Sequence, residues 1–253
     1  MPAPVFHSPP MRTILLVLCL LLLCSELFAQ EYVVNGGFET VTECPLEPGD
    51  LYLATGWRAV EGTPDLLHAC AETRVPGRDV LSNFAGYRKA VAGQGRAGLC
   101  VLYHNRSMSA KEGYQSTEAL YTRLNQPLLL GRMYRVSFYV SRADSSSLAA
   151  DSLYVVLSGQ WPTRPTSLQT GRGLVRGVWV DNRDTTWQRV QVDVSPREPL
   201  AYLAIGLPRA KIPFSTYKNL VAQGLQSNQL LRGISLIGYY YLDQVSVLEL
   251  GSK

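Results

Sequence analysis

The sequence predicts an all-β protein, an antiparallel β-sandwich with long loop insertions. Short segments of alternating apolar and polar residues are separated by Gly, Pro, Asn and Asp, which is typical of strands joined by turns. Segments with a helical spacing of apolar residues are few. No linker rich in Pro, Gly or Ser divides residues 30–253, and no repeat is visible, so these residues are expected to form a single domain.

The predicted strands follow one another in chain order, and the clearest is 133–141. In that segment Tyr134, Val136, Phe138 and Val140 share one face, because side chains alternate along a strand. The last strand is predicted to place Tyr241, Asp243, Val245 and Val247 opposite Tyr240, Leu242, Gln244 and Ser246. The full set of predicted strands is 99–103, 119–124, 133–141, 152–157, 187–194, 201–206 and 239–248.

Two insertions interrupt the strand pattern. Residues 216–231 carry leucines at roughly helical intervals, but Gly224 interrupts them, so this insertion is expected to be partly helical. Residues 159–177 contain Pro162, Pro165, Gly171 and Gly173 and are predicted to form an exposed loop.

The first 29 residues have the character of a secretory signal peptide. Arg12 precedes an uninterrupted apolar run, residues 14–24, and Ala29 offers a small residue for cleavage. The run is short for a membrane span. A lipid anchor on Cys24 is the alternative, although bulky Leu23 precedes that cysteine. The protein is therefore expected in the cell envelope (periplasm or outer surface) or outside the cell, without a transmembrane span after cleavage.

Charge argues against a nucleic-acid partner. The formal net charge is +4, and it stays +4 after cleavage because the signal removes Arg12 and Glu26 together. The basic residues are scattered and do not alternate with aromatic residues, so no nucleic-acid surface is indicated.

Three cysteines remain after cleavage, which allows one disulfide and one free thiol. Cys44 and Cys70 lie in turn-rich sequence, whereas Cys100 lies in an apolar strand-like run. Buried free cysteine behaves as a small hydrophobic residue. The predicted disulfide is therefore Cys44–Cys70.

Catalytic motifs are poorly represented. Asp65 and His68 could form an acid–base pair, but no nucleophile elbow accompanies them. Glycoside hydrolysis needs two carboxylates at a fixed separation, and no spacing among Glu118, Asp144 and Asp151 singles out a pair. The chain is therefore not expected to be an enzyme.

Aromatic side chains are the candidates for ligand binding, since sugar rings stack on exposed aromatic faces beside polar groups. Tyr139 lies on the polar face of its strand beside Arg135. Trp161 and Trp179 flank the loop rich in Pro and Gly. These four residues form the predicted ligand-binding set.

Several segments together resemble exported bacterial jelly-roll domains of the galactose-binding, carbohydrate-binding-module kind. Such domains precede a domain similar to outer membrane protein A in some envelope proteins. The resemblance spans nearly all of residues 30–253. It is carried by residues 35–39 (Asn-Gly-Gly-Phe-Glu), 43–45, 54–57 (Ala-Thr-Gly-Trp), 62–65, 126–128, 134–140 and 240–247 (Tyr-Tyr-Leu-Asp-Gln-Val-Ser-Val).

The resemblance implies a jelly roll whose first turn and last strand meet. It also implies that Glu39 and Asp243 hold a structural calcium, a cation that takes six to eight oxygen ligands. The alternative is that Glu39 caps the opening turn and Asp243 accepts a neighbouring amide. The family pattern further implies that Trp57 and Trp187 pack in the core.

The function expected from these features is non-catalytic recognition of a glycan or envelope polysaccharide. The alternative is a structural or adhesive envelope protein that contacts protein partners. An exposed platform of two or more rings favours the first, and an apolar patch or exposed edge strand favours the second.

Overall fold

The structure, a computed structural model, describes residues 30–73, 82–83, 85–104, 118–162, 173–207 and 236–252. The predicted signal peptide and the partly helical insertion 216–231 lie outside these residues. Among the described residues, no helix has the length and apolarity that a membrane crossing requires.

Twelve strands are described, together with two short 3-10 helices, Asp50–Leu53 and Ala69–Thr73. The strands are β1 (Trp57–Glu61), β2 (Asp65–His68), β3 (Ser82–Asn83), β4 (Gly86–Tyr87), β5 (Gly95–His104), β6 (Ala119–Leu128), β7 (Arg132–Arg142), β8 (Ser152–Ser158), β9 (Leu174–Trp179), β10 (Gln188–Val194), β11 (Leu200–Gly206) and β12 (Leu236–Ser252).

Ten of these strands form two five-stranded antiparallel sheets. The first sheet has the order β1-β6-β11-β8-β9, and the second has the order β10-β7-β12-β5-β2. Strands β3 and β4 form a separate hairpin. The buried apolar side chains between the two sheets form one continuous core, so the chain is a jelly-roll β-sandwich, as the sequence predicted.

Strand β7 shows how the alternating pattern builds this core. Tyr134, Val136, Phe138 and Val140 are at most 1% exposed and all lie in the core between the sheets. The polar residues between them therefore lie on the outer side of the second sheet. This prediction is confirmed.

The predicted alternation of the last strand is wrong beyond Asp243. A bulge shifts the β12–β7 register between Asp243 and Ser246, and Gln244 adopts a φ of 50°. One extra residue reverses which side the following residues face. Leu242 and Val245 therefore both point into the core, whereas the sequence placed them on opposite faces.

The predicted exposed loop 159–177 is also partly wrong, because β9 begins inside it at Leu174. Gly171 and Gly173 suggested a loop, yet Gly173 marks only the entry to the strand, with a φ of 149°. The sequence also missed the short strands β1 and β2, which are too brief to show a clear alternation.

The two ends of the domain meet, as the resemblance implied. The amide of Tyr32 donates to the carbonyl of Val247 at 3.0 Å, and the amide of Val245 donates to the carbonyl of Gly36 at 2.8 Å. A Cβ at Gly36 would lie 1.8 Å from the Val245 carbonyl oxygen, so this contact requires glycine. The bulge at Gln244 and the glycine turn are therefore two halves of one junction.

The opening turn is fixed by Asn35 and by two aromatic rings. The side-chain amide of Asn35 donates to the carbonyls of Thr40 and Thr55. The backbone carbonyl of Asn35 accepts the Trp57 indole N–H at 2.7 Å. The ring centroids of Phe38 and Trp57 are 4.9 Å apart. Trp57 is fully buried, so its predicted core position is confirmed.

Cys44 and Cys70 form a disulfide, the pairing expected from the sequence, with their Cα atoms 5.7 Å apart. Cys100 is free and partly buried. In the chain-entropy description, closing a loop of this size stabilises a fold by about 3 kcal/mol. The disulfide ties the segment before β1 to the 3-10 helix that follows β2.

Candidate functional site

The outer side of the first sheet carries a cluster of aromatic and apolar residues separate from the core. Tyr121 on β6, Val156 on β8 and Ala204 on β11 form its buried base, with Tyr202 packed against them. The strand register explains this, since Tyr121 pairs with Ala204, and Ala204 pairs with Val156. Paired residues point to the same side of a sheet, so their side chains meet.

Trp161 lies on this cluster. Its ring centroid is 5.1 Å from that of Tyr121 and 5.7 Å from that of Tyr202, both with interplanar angles of 75°. These are edge-to-face contacts, a favourable arrangement for aromatic pairs. Trp161 nevertheless remains 52% exposed, so the ring is held by two strands and still faces solvent.

The row of rings continues along β8 toward the edge strand β9. Tyr154 is partly buried against the main core and lies beside Gly177 on β9, where an added Cβ would be 3.5 Å from its ring. Trp179, paired with Ser152, is 64% exposed. Because Tyr202 pairs with Ser158, the rings extend about 20 Å along β8 at roughly 3.3 Å per residue. We call this surface, made of Tyr121, Tyr154, Tyr202, Trp161 and Trp179, the aromatic face.

The predicted ligand-binding set is divided between the two sheets. Trp161 and Trp179 belong to the aromatic face, whereas Arg135 and Tyr139 lie on β7, on the outer side of the second sheet. Arg135 donates two hydrogen bonds to Asp193, at 2.7 and 2.8 Å. The four residues therefore do not form one site, because the strand alternation on β7 directs its polar side away from the aromatic face.

The outer side of the second sheet holds a different tyrosine cluster. The Tyr239 hydroxyl donates to the buried Asp65 carboxylate, which also accepts the Gly49 amide at 2.7 Å. The Tyr241 hydroxyl donates to the Gly86 carbonyl at 2.8 Å. The buried guanidinium of Arg96 lies over the Tyr241 ring, 5.5 Å from its centroid. We call these residues the tyrosine network, in which each tyrosine hydroxyl is used by the fold.

Glu118 is a buried carboxylate next to this network. It accepts hydrogen bonds from the amides of Cys100 at 2.7 Å and Thr63 at 3.1 Å. Burial raises the pKa of Glu118 to about 7, although these two amide hydrogen bonds oppose the shift. The side chain thus joins the start of β6 to β5 and to the turn before β2.

Glu39, near the start of the domain sequence, and Asp243, near its end, both contact the short segment 91–95. The Glu39 carboxylate accepts the amides of Gln94 and Gly95, each at about 3.0 Å. Asp243 accepts the amides of Val91 at 2.6 Å and Gln244 at 2.7 Å. Burial raises the pKa of Asp243 to about 6, and the nearby charge of Glu39 adds to the shift.

This carboxylate pair bears on the expected calcium. Two carboxylates supply only part of a calcium shell. Within the described part of the chain, no group of three or more His, Cys, Asp and Glu side chains could hold a metal ion. Asp243 accepts the neighbouring Gln244 amide, as the alternative expected, whereas Glu39 accepts the amides of Gln94 and Gly95 and not one of the opening turn. A carboxylate oxygen still has a second lone pair for a cation. The calcium therefore stays a prediction.

Asp65 and His68 do not bond to each other in the structure. Asp65 accepts the Tyr239 hydroxyl, and His68 accepts the Cys70 amide on its Nδ1 at 3.2 Å. Both side chains are at most 5% exposed. This arrangement fits two turn-stabilising residues better than an acid–base pair.

Trp187, expected in the core, lies instead on the outer side of the second sheet. It is half-buried against the cluster containing Tyr239 and Tyr241, and its indole N–H donates to the Lys89 carbonyl at 2.9 Å. A cavity of about 660 Å³ also opens beside the edge strands β9 and β10. Its lining includes Arg176, Asp193 and Arg197 but no aromatic ring, so it does not extend the aromatic face.

The sequence analysis did not select Tyr121, Tyr154 or Tyr202. Each of them stands at a position where the alternation of its strand predicts an outward-facing side chain. Tyr121 alternates with Leu120 and Thr122, and Tyr154 with Leu153 and Val155. The recurrence of tyrosine at outward-facing positions of several strands could have indicated an aromatic surface. The sequence alone does not show that β6 and β11 pair, which is what brings Tyr121 and Tyr202 together under Trp161.

The sequence matches no protein-family model and no curated protein. Solved structures that are similar to this chain include an enzymatically active domain of tailspike protein 4 from bacteriophage CBA120. The identity is 10% and the TM-score 0.43, and the match covers 87% of this chain. This chain corresponds to only 21% of the length of that tailspike chain.

Two further similar structures are of this chain's own size. The CBM22-1 xylan-binding domain of Xyn10C from Paenibacillus barcinonensis is 12% identical, with a TM-score of 0.41; the match covers 89% of this chain and 97% of that one. The K3 cleaved adhesin domain of Lys-gingipain from Porphyromonas gingivalis is 14% identical, with a TM-score of 0.41; the coverage is 87% and 98%. The first is a carbohydrate-binding module, the kind of domain that the sequence resembles, and the second is an adhesin domain.

Proposed function

We propose that this protein is an exported, non-catalytic binding module that recognises carbohydrate with its aromatic face. The observation that supports this most is the position of Trp161. Its ring is exposed, yet Tyr121 and Tyr202 hold it edge-to-face from two neighbouring strands.

A sugar ring presents an apolar face of C–H groups, which stacks on an aromatic ring while the hydroxyls bind nearby polar groups. A ring that is already fixed loses little conformational entropy on binding. Trp161 meets this requirement through its two tyrosine contacts. Trp179 and Tyr154 extend the surface along β8 and β9, which suits a chain of sugars more than a single one.

The absence of catalysis is part of the proposal. The buried carboxylates Asp65, Glu118 and Asp243 each accept hydrogen bonds from groups of the fold itself. Asp65 and Asp243 lie on strands of the second sheet, and Glu118, which precedes β6, directs its carboxylate to the Cys100 amide on β5 of that sheet. Carboxylates engaged in this way hold segments together and are not placed to flank a glycosidic bond.

Export is supported by the disulfide. Disulfides persist in oxidising compartments such as the periplasm and the cell exterior. The Cys44–Cys70 bond fits the signal peptide predicted for residues 1–29, so we place the protein at the bacterial envelope or outside the cell. Envelope polysaccharide and other extracellular glycans are then the accessible ligands.

The experiment is a screen of the purified protein on a glycan array and a panel of polysaccharides, followed by calorimetric titration of the best ligand. Trp161→Ala should weaken binding about tenfold or more, since stacking on a ring contributes about 1 kcal/mol beyond buried area. Tyr87→Ala is the control, because Tyr87 is an exposed aromatic residue on β4, in the hairpin beside the tyrosine network.

If no glycan binds, the proposal fails and the adhesive alternative replaces it. The edge strand β9, with Trp179 exposed, would then be the surface to test against protein partners. If Tyr87→Ala weakens glycan binding as much as Trp161→Ala does, sugar is bound elsewhere.

A further inference from the structure

Two arginines lie among the rings of the aromatic face. Arg58 on β1 pairs across the sheet with Tyr121, and Arg123 on β6 pairs with Tyr202. Directly paired residues have their side chains on the same side of a sheet. Each of the two tyrosines that hold Trp161 therefore has an arginine as its cross-strand neighbour.

The side chains of both arginines are accessible. Arg58 and Arg123 are exposed, although Tyr121 beneath Trp161 is buried. The Arg58 guanidinium donates to the carbonyls of Tyr52 and Trp57, which fixes its position while other N–H groups stay available. Burial raises the pKa of Tyr121, and the positive charge of Arg58 opposes that shift, as expected for a guanidinium close to the phenol.

Neither arginine forms an ion pair with a described carboxylate. On or beside the second sheet three arginines do form ion pairs, Arg88 with Asp144, Arg132 with Glu249 and Arg135 with Asp193. Arg189 on β10 forms none with a described carboxylate and donates to the Ser137 hydroxyl instead. The described part of the aromatic face thus combines exposed rings with two arginines that form no ion pair with a described carboxylate. Glu61, which pairs with Ala119, lies on the same side, so the arginines outnumber the carboxylates there. Such a surface favours an anionic ligand.

We propose that the ligand of the aromatic face is an acidic glycan, a polysaccharide that contains uronic acids. One face of a uronate ring stacks on Trp161, and its carboxylate accepts hydrogen bonds from Arg58 or Arg123. Guanidinium and carboxylate groups match in bidentate geometry, which makes arginine the residue suited to reading this group. This inference rests on the proposed function and specifies its ligand class.

The experiment compares polygalacturonate, alginate and hyaluronan with the carboxyl-reduced form of each polymer. Binding to the purified protein is measured by calorimetric titration at low and at raised salt. The acidic form of at least one polymer should bind about tenfold or more tightly than its reduced form, because a charge-assisted hydrogen bond contributes this much. Added salt should reduce this preference.

Three variants assign the preference to residues. Arg58→Gln and Arg123→Gln should each lower affinity for the acidic polymer about five- to tenfold and leave the affinity for the reduced polymer unchanged. Arg189→Gln is the matched control: Arg189 is exposed and pairs with Tyr139 on the second sheet, so the variant removes the same charge from an equivalent Arg–Tyr pair. It should bind like the wild type.

The outcomes separate this inference from the proposed function. If neutral glycans bind through Trp161 with no preference for acidic polymers, the inference is overturned and the proposed function stands. If Arg189→Gln weakens binding as much as Arg123→Gln, net charge alone is responsible and the inference is also wrong. If neither acidic nor neutral glycans bind, both fail.

Discussion

The two outer faces of the sandwich use the same residue types, tyrosine, tryptophan and arginine, in opposite ways. In the tyrosine network, the hydroxyls of Tyr239 and Tyr241 bond to Asp65 and Gly86, and Arg96 is buried over a ring. On the aromatic face, the rings of Trp161 and Trp179 are exposed, and Arg58 and Arg123 have no described acidic partner.

The difference shows that residue type alone does not identify a binding surface. A tyrosine whose hydroxyl is bonded within the fold contributes stability, because breaking that bond leaves a buried polar group unsatisfied. An exposed ring held by other rings has contacts to offer to a ligand. We therefore expect substitutions in the tyrosine network to change stability and substitutions on the aromatic face to change binding.

The largest effect is expected for Tyr239→Phe. This change removes one hydrogen-bond donor from the buried Asp65 carboxylate, so the free energy of unfolding should fall by about 2 kcal/mol. Tyr202→Phe is the matched change on the aromatic face, where the hydroxyl bonds to no described residue; its effect should stay within about 0.5 kcal/mol. Urea denaturation of the two variants measures both. If both variants lose the same free energy of unfolding, the tyrosine hydroxyls do not distinguish the tyrosine network from the aromatic face.

The sequence predicted much of what local pattern determines. The inward-facing row of β7, from Tyr134 to Val140, follows from alternation alone. The Cys44–Cys70 pairing was predicted because these two cysteines lie in turn-rich sequence, whereas Cys100 lies in a strand-like run. The meeting of Gly36 with Val245 was expected from the family resemblance.

The parts that the sequence could not predict depend on contacts between distant residues. The bulge at Gln244 has no local signal, because the opening turn, about two hundred residues earlier, accepts the amide of Val245. Arg135 was predicted to bind ligand because it shares the polar face of its strand with Tyr139. Its ion-pair partner, Asp193, lies 58 residues away on another strand, so the pair could not be predicted. Trp161 was chosen correctly as an exposed ring, but the tyrosines that hold it come from β6 and β11.

The second prediction concerns pH. The pKa of Glu118 is about 7 in the folded protein, against an ordinary value of 4.5. Between these values the folded state binds more protons than the unfolded state, so the free energy of unfolding should fall by about 2 kcal/mol as the pH rises from about 5 to about 7. Asp243, with a pKa of about 6, adds a slope of the same sign at the lower end of this range.

Urea denaturation across this pH range measures the slope, and Glu118→Gln should flatten it, because the variant has no proton to exchange. The Asp243 contribution should remain in that variant. A slope that is unchanged by Glu118→Gln would mean that burial does not shift the pKa of Glu118. A flattened slope would show that ionising a carboxylate buried against the second sheet lowers the stability of the fold.

The third prediction concerns calcium at Glu39 and Asp243. We propose that a calcium ion adds to the amide hydrogen bonds that these carboxylates accept. Calcium at about ten times its dissociation constant should then raise the free energy of unfolding by about 1.4 kcal/mol, and chelation should reverse the gain. The double variant Glu39→Gln/Asp243→Asn should show no gain, and Asp144→Asn should respond like the wild type. An unchanged melting temperature of the wild type with calcium and with chelator would leave the amides as the only partners.

The smallest effect is expected for Arg135→Gln, which tests whether the outer side of the second sheet takes any part in binding. Arg135 and Asp193 form a largely solvent-exposed ion pair, and such pairs contribute little because water and salt screen them. The melting temperature should fall by less than about 2 °C. Affinity for the glycan that Trp161 binds should not change, since β7 directs Arg135 to the other side of the sandwich. Tyr139→Ala should behave in the same way, whereas a loss of affinity in either variant would give the second sheet a share of the binding site and end the division of roles between the two faces.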